Sequence, residues 1–143
     1  MLTVNDLMTV IPYTVTPGTS LRRVIEMMKS EGCRQFPVLD KGKLVGIISD
    51  RDVRLVINSP IVPHGRWQDE ELLDKVLADS CMTANPMSVA PDTPAYRAAK
   101  MLSLYKFGAL PVIDDDVLVG IITVTDFLDY FAAGQSETVI DGL

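Results

Sequence analysis

Leu44-Val45-Gly46-Ile47-Ile48-Ser49-Asp50-Arg51-Asp52 returns as Leu118-Val119-Gly120-Ile121-Ile122-Thr123-Val124-Thr125-Asp126, shifted by 74 residues with no gap. Working outward, the same shift carries residues 4–56 onto 78–130. Met8-Thr9 meets Met82-Thr83, Pro12 meets Pro86, and Val15, Pro17 and Thr19 meet Val89, Pro91 and Thr93. Pro37-Val38 and Asp40 meet Pro111-Val112 and Asp114. Amphipathic patterns matched by chance do not give this register. One unit has been written twice, and a unit too short to bury its own apolar face is expected to pack on its copy across a pseudo-twofold axis.

The pattern inside each copy reads β-α-β-β-α, an α/β (α+β) fold class. Thr19 is placed to cap a helix whose inward face is Leu21, Val24, Ile25 and Met28, ending before Gly32. Thr93, Ala95, Ala98, Ala99 and Leu102 repeat this with smaller side chains, so the two halves cannot be symmetric inside. Phe36–Leu39 and Leu44–Ile48 are rich in β-branched residues and read as strands joined by a hairpin at Asp40-Lys41-Gly42. Leu110–Ile113 and Val117–Ile122 do the same around Asp114-Asp115-Asp116, where a turn explains the acids better than a metal site. The expected organisation is repeat one at 1–56, a linker at 57–77, repeat two at 78–132 and a polar tail at 133–143. Pro60, Pro63 and Gly65 break the linker, and Trp67 to Leu77 reads as a short amphipathic helix with acids at its start.

At 143 residues and 48% hydrophobic, the chain can bury a sizeable core. A net charge of -6 opposes nucleic-acid and anionic-membrane surfaces, which demand a basic footprint, so an anionic ligand must find a local pocket. Cys33 and Cys81 lie outside any CxxC pattern, which fits a reduced compartment. No basic-then-apolar leader opens the chain, and no stretch approaches the roughly 18 apolar residues of a membrane span. A soluble, cytoplasmic protein is expected.

The chemistry-bearing pattern is Gly-Ile-Ile-[Ser/Thr]-x-x-Asp, at Gly46 to Asp52 and Gly120 to Asp126. A hydroxyl at a helix N-cap with an acid three residues on is a capping box, which satisfies orphan amides. The same geometry serves a ligand, because free N–H groups at a helix start suit a phosphate and a carboxylate accepts from ribose hydroxyls. Both readings stand on local grounds.

The doubled β-α-β-β-α unit, the Pro-Val-x-Asp strand and the G-h-h-[ST]-x-x-D ending resemble a tandem pair of CBS (cystathionine beta-synthase) domains, a Bateman module. The resemblance covers nearly the whole chain. It implies a ligand-sensing regulatory module that binds AMP, ADP, ATP or S-adenosylmethionine in two clefts between the repeats and transmits occupancy to a partner, with no catalytic residues, cofactor or metal. It places Thr83, Pro86, Met87, Phe107, Gly108 and Ala109 with Ser49 and Asp52. It places Thr9, Pro12, Tyr13, Cys33, Arg34 and Gln35 with Thr123 and Asp126. Family members that bind phosphates often carry basic residues just before the Pro-Val strand of the repeat supplying the Asp. Arg34-Gln35 stands there in repeat one and Gly108-Ala109 in repeat two, and Arg51 adjoins Asp52 where Val124 and Thr125 adjoin Thr123. The Ser49/Asp52 cleft is therefore expected to take the phosphates, since Arg is an always-charged planar donor. The other cleft, with Tyr13 as a stacking surface, is expected to take a less charged ligand or none.

His64, Arg66 and Trp67 in the linker read as surface packing or as a contact over a cleft mouth. Cys33 reads as pocket lining. Met27, Met28, Met101, Phe127, Leu128 and Phe131 read as helix faces for the core and for a homodimer, which the family resemblance also implies. The competing class is a ligand-free dimerisation scaffold; an enzyme using nucleotide as substrate ranks last, because no nucleophile with a base and no metal-ligand spacing is visible.

Overall fold

The computed structural model describes residues 1–10, 12–58 and 66–134, with only the backbone of 66–70. His64, the side chains of Arg66 and Trp67, and the tail after Gly134 lie outside the described residues. Among the described residues thirteen elements follow in order: α1 (Val4–Leu7), β1 (Thr9–Val10), α2 (Leu21–Glu31), β2 (Gln35–Asp40), β3 (Lys43–Ser49), α3 (Asp50–Ile57), α4 (Arg66–Lys75), α5 (Ala78–Cys81), β4 (Thr83–Ala84), α6 (Ala95–Tyr105), β5 (Ala109–Asp114), β6 (Val117–Thr123) and α7 (Val124–Ala133). Leaving aside α4, every element of the first half starts 74 residues before its counterpart in the second, as the repeat requires. Each copy opens with a one-turn helix ahead of the β-α-β-β-α order. Among the described residues no helix is long and apolar enough to cross a membrane.

Local chemistry accounts for the element ends. Ser20, not Thr19, caps α2, its hydroxyl accepting from the Arg23 N–H at 3.2 Å. Thr19 Oγ1 instead accepts from the Thr16 N–H at 3.0 Å, closing the Thr16-Pro17-Gly18-Thr19 turn one residue earlier. Thr93 does the same for Ala90 at 3.0 Å, and Pro94, which has no hydroxyl, stands at the α6 N-cap. Both hairpins turn on two residues with positive φ, Lys41 and Gly42 (52° and 81°) and Asp115 and Asp116 (52° and 65°). Such two-residue turns match the twist of the flanking strands, and Gly and Asp tolerate them.

The described residues divide into two units, those within 1–11, 88–114 and 119–143 and those within 12–87 and 115–118. The units do not coincide with the repeats, because the opening segments are exchanged. In the first unit β1 pairs with β6 in a β1-β6-β5 sheet; in the second β4 pairs with β3 in a β2-β3-β4 sheet. Backbone bonds anchor each exchanged segment: Val4 N–H to Thr93 O at 2.8 Å, and Ala78 N–H to Thr19 O at 2.8 Å.

The exchange resolves the volume mismatch between the repeats. Leu21 and Val24 share a buried cluster with the small Ala78, whereas the small Ala98 shares one with the larger Val4. Large faces small in both units, as close packing demands. Each buried Val, Leu, Ile or Phe side chain of these clusters contributes about 1.5–3 kcal/mol by its burial. In the second unit Leu73 and Val76, at the end of α4 and just after it, also pack against the cluster, and the exposed Arg22–Asp74 ion pair at 2.6 Å joins α4 to α2.

Candidate functional site

Ser49 ends β3 and caps α3, and Thr123 ends β6 and caps α7, so each strand delivers its hydroxyl to a helix start. The capping boxes are complete. The Ser49 N–H donates to Asp52 Oδ2 at 2.9 Å, and the Asp52 N–H donates to Ser49 Oγ at 3.1 Å. The Thr123 N–H donates to Asp126 Oδ2 at 2.8 Å, and the Asp126 N–H to Thr123 Oγ1 at 3.1 Å. All four residues are half-buried. Among the described residues only one oxygen of each carboxylate is engaged; Oδ1 of Asp52 and of Asp126 accepts no bond.

The expectation of open amides at these helix starts needs correcting. The Asp50 N–H donates to Arg34 O at 2.9 Å, and the Val124 N–H to Gly108 O at 3.1 Å. With the third amide of each helix held by the cap hydroxyl, two of the first three donors are spoken for. Anion binding must then rest mainly on side chains.

Beside Ser49 and Asp52 the second unit gathers Arg34 and Arg51, both exposed, and Gln35, which pairs across the sheet with Ser49. Thr83 is opposite Ile47 on the neighbouring strand. Paired residues share a face, and so do residues two apart on one strand, so Thr83 and Ser49 project from the same side of the sheet. Asn85 then turns the chain with φ 50°, its N–H donating to Val45 O at 3.1 Å, and leads to Pro86 and the exposed Met87. Phe107, Gly108 and Ala109 belong to the first unit.

That first unit brings Thr9 opposite Ile121, on the face of Thr123. No arginine adjoins this cap: Val124 and Thr125 follow Thr123, and Gly108 supplies the carbonyl that Arg34 supplies in the other unit. Pro12, Tyr13, Cys33, Arg34 and Gln35, expected with Thr123, belong to the second unit. Tyr13 is exposed, and the nearby Glu31 carboxylate raises its pKa. Burial pushes the Cys33 thiol up, helped by Glu31. Burial does the same at Cys81, followed by the nearby charges of Asp52 and Asp79. Cys81 was not among the expected site residues. Nor were Met8 and Met82, which lie against Gly120 and Gly46; the signal available was that Met8 and Met82, like Gly46 and Gly120, recur in register.

The CBS domain family model matches residues 4–59 and 77–133. A CBS domain-containing protein of Dictyostelium discoideum is 34% identical over 128 residues, covering 88% of each chain. The crystal structure of CBSX2, a CBS-pair protein of Arabidopsis thaliana, in complex with AMP superposes with a TM-score of 0.79 at 27% identity, covering 95% of this chain and all of that one. The CBS domain pair of protein MJ0100, solved with 5′-methylthioadenosine and S-adenosyl-L-methionine, gives 0.80 at 25% identity over 94% and 99% of the two chains. With two matched segments, a repeat in constant register and the fold of CBS-pair structures, the chain belongs to the CBS domain family as a tandem, Bateman-type pair.

Proposed function

We propose that this chain is a ligand-sensing regulatory module that binds an adenosine-containing nucleotide beside its capping boxes and passes occupancy to a partner protein. The observation that carries this is the divided use of Asp52 and Asp126: Oδ2 closes the cap while Oδ1 stays available to a ribose hydroxyl. The capping and binding readings are therefore compatible. That CBSX2 was solved with AMP and the MJ0100 pair with adenosine sulfur compounds supports an adenosine ligand. Arg34 and Arg51 supply always-charged donors next to the Ser49/Asp52 cap that the other cap lacks, which suits this site to phosphates. The Thr123/Asp126 site, without such residues, suits a less charged ligand such as S-adenosylmethionine or stays empty. We further propose that two copies associate through α7, which leaves Leu128 and Phe131 exposed at 62% and 70%.

The scaffold reading draws support from the same caps, because they are complete without a ligand. A thermal-shift panel separates the two. A ligand that binds only the folded chain, at a hundredfold excess over its Kd, contributes about 2.7 kcal/mol, which is several degrees in Tm. Stabilisation by AMP, ADP, ATP or S-adenosylmethionine and not by guanine nucleotides is expected. Ligand-free protein indifferent to all of them would leave the scaffold.

A further inference from the structure

Gly46 and Gly120 sit buried in the middle of β3 and β6, and neither adopts the left-handed φ that calls for glycine elsewhere. Space decides instead. A Cβ at Gly46 would overlap Met82 Sδ and stand 2.9 Å from Met82 Cγ and 3.0 Å from the Thr83 carbonyl oxygen. A Cβ at Gly120 would stand 2.7 Å from Met8 Sδ, 2.7 Å from the Thr9 carbonyl oxygen and 3.2 Å from Met8 Cγ. Each glycine is thus the seat for the methionine that directly precedes the exchanged strand beside it. The methionine directly precedes the threonine, whose side chain shares a face of the sheet with Ser49 or Thr123.

We infer that Gly46 and Gly120 are positioning residues for the two ligand sites: by seating Met82 and Met8 against the sheet, they hold Thr83 and Thr9 beside Ser49/Asp52 and Thr123/Asp126. This rests on the adenosine-binding reading. A side chain at either glycine lifts the exchanged strand and carries the threonine out of reach of a ligand whose ribose is held by the aspartate. The two seats differ in what can relieve them. At Gly46 the nearest obstacles are flexible methionine atoms. At Gly120 a backbone oxygen is as close as the sulfur, and trimming the methionine does not remove it.

The test is AMP affinity by titration calorimetry, with circular dichroism melts to establish the folded fraction. In an Asp126→Ala background, which isolates the Ser49 site, Gly46→Ala is expected to weaken AMP by roughly tenfold or more, the loss of about one hydrogen bond. Adding Met82→Ala should restore affinity to within about threefold of Met82→Ala alone. In an Asp52→Ala background, S-adenosylmethionine and AMP report the other site, where Met8→Ala should not rescue Gly120→Ala. A merely structural role lowers Tm and leaves the affinity of folded protein unchanged. Unchanged affinity in folded Gly46→Ala, or a folded Gly46→Ala/Met82→Ala chain as weak as Gly46→Ala, overturns the inference. Should Gly46→Ala not fold, the double variant measured against Met82→Ala decides. Failure of the wild-type chain to bind any adenosine ligand sinks the functional reading itself, and that shows before any substitution is made.

Discussion

Gly32 and Lys106 occupy the same turn in the two repeats, each ending a helix with a left-handed residue, at φ 67° and 60°. Glycine adopts this conformation freely, while an L side chain there carries a cost of about 1–2 kcal/mol, partly offset by glycine's larger unfolded-state entropy. Lys106→Gly is therefore expected to stabilise the chain by about 0.5–1 kcal/mol in urea melts, and Gly32→Ala to destabilise it by a similar amount. No gain at 106 would mean the lysine makes a compensating contact. The two thiols give a second expectation at this scale. Both are held above the ordinary thiol range, burial being the larger cause at each. Because the thiolate is the reactive form, iodoacetamide at neutral pH should label Cys33 and Cys81 more slowly in folded than in urea-unfolded protein, by mass spectrometry. A thiol whose folded pKa is raised supports stability below its unfolded pKa, and that support is lost as pH rises through the folded value. Equal labelling rates would show that burial does not protect them.

At the scale of elements, the junctions of β3 with α3 and of β6 with α7 each close a helix cap with two residues, and the proposed function gives the same carboxylate a second task. Asp52→Ala removes the acceptor of the 2.9 Å Ser49 bond, and Asp126→Ala that of the 2.8 Å Thr123 bond. Each is expected to lower stability by about 1 kcal/mol, as lost caps do. Each should also weaken its own site by about 1.5–3 kcal/mol, the value of a charge-assisted ribose contact, and leave the other site intact. Paired urea melts and calorimetry check both numbers. A stability loss with unchanged affinity would reduce the motif to a helix cap.

For the molecule as a whole, the sequence assigns six helical residues to the core and to a homodimer face, and the structure divides them. Met27 and Met28 pack against the cluster of Phe36, and Met101 and Phe127 against that of Leu110, so these four serve the interior. Leu128 and Phe131 stay outside, with Val124 one and two turns before them on the same face of α7. Light scattering at micromolar concentration is expected to give twice the mass of a single chain. Leu128→Glu/Phe131→Glu should halve that mass while leaving the melting transition cooperative, because neither residue contributes to a core. A wild-type chain of single mass, with or without AMP, would remove the dimer.

The sequence by itself determined the elements and their doubling. Apolar spacing from Leu21 to Met28, turn residues at Lys41-Gly42 and Asp115-Asp116, and the hydroxyl-acid pairs at Ser49/Asp52 and Thr123/Asp126 act over a few residues, so their outcome is written locally. Even there, neighbouring hydroxyls competed: Thr19 and Ser20 both suit a cap, and only the path of the turn assigned Ser20 to the helix. Tertiary structure alone decided which copy pairs with which. Met8-Thr9 and Met82-Thr83 are the same dipeptide, and Gly46 and Gly120 lie in the same pentapeptide, so side-chain recognition barely distinguishes a strand joining its own repeat from one joining the other. The choice falls to chain connection and to packing volume, Val4 beside Ala98 and Ala78 beside Val24, which are properties of the closed core and of no single stretch of sequence.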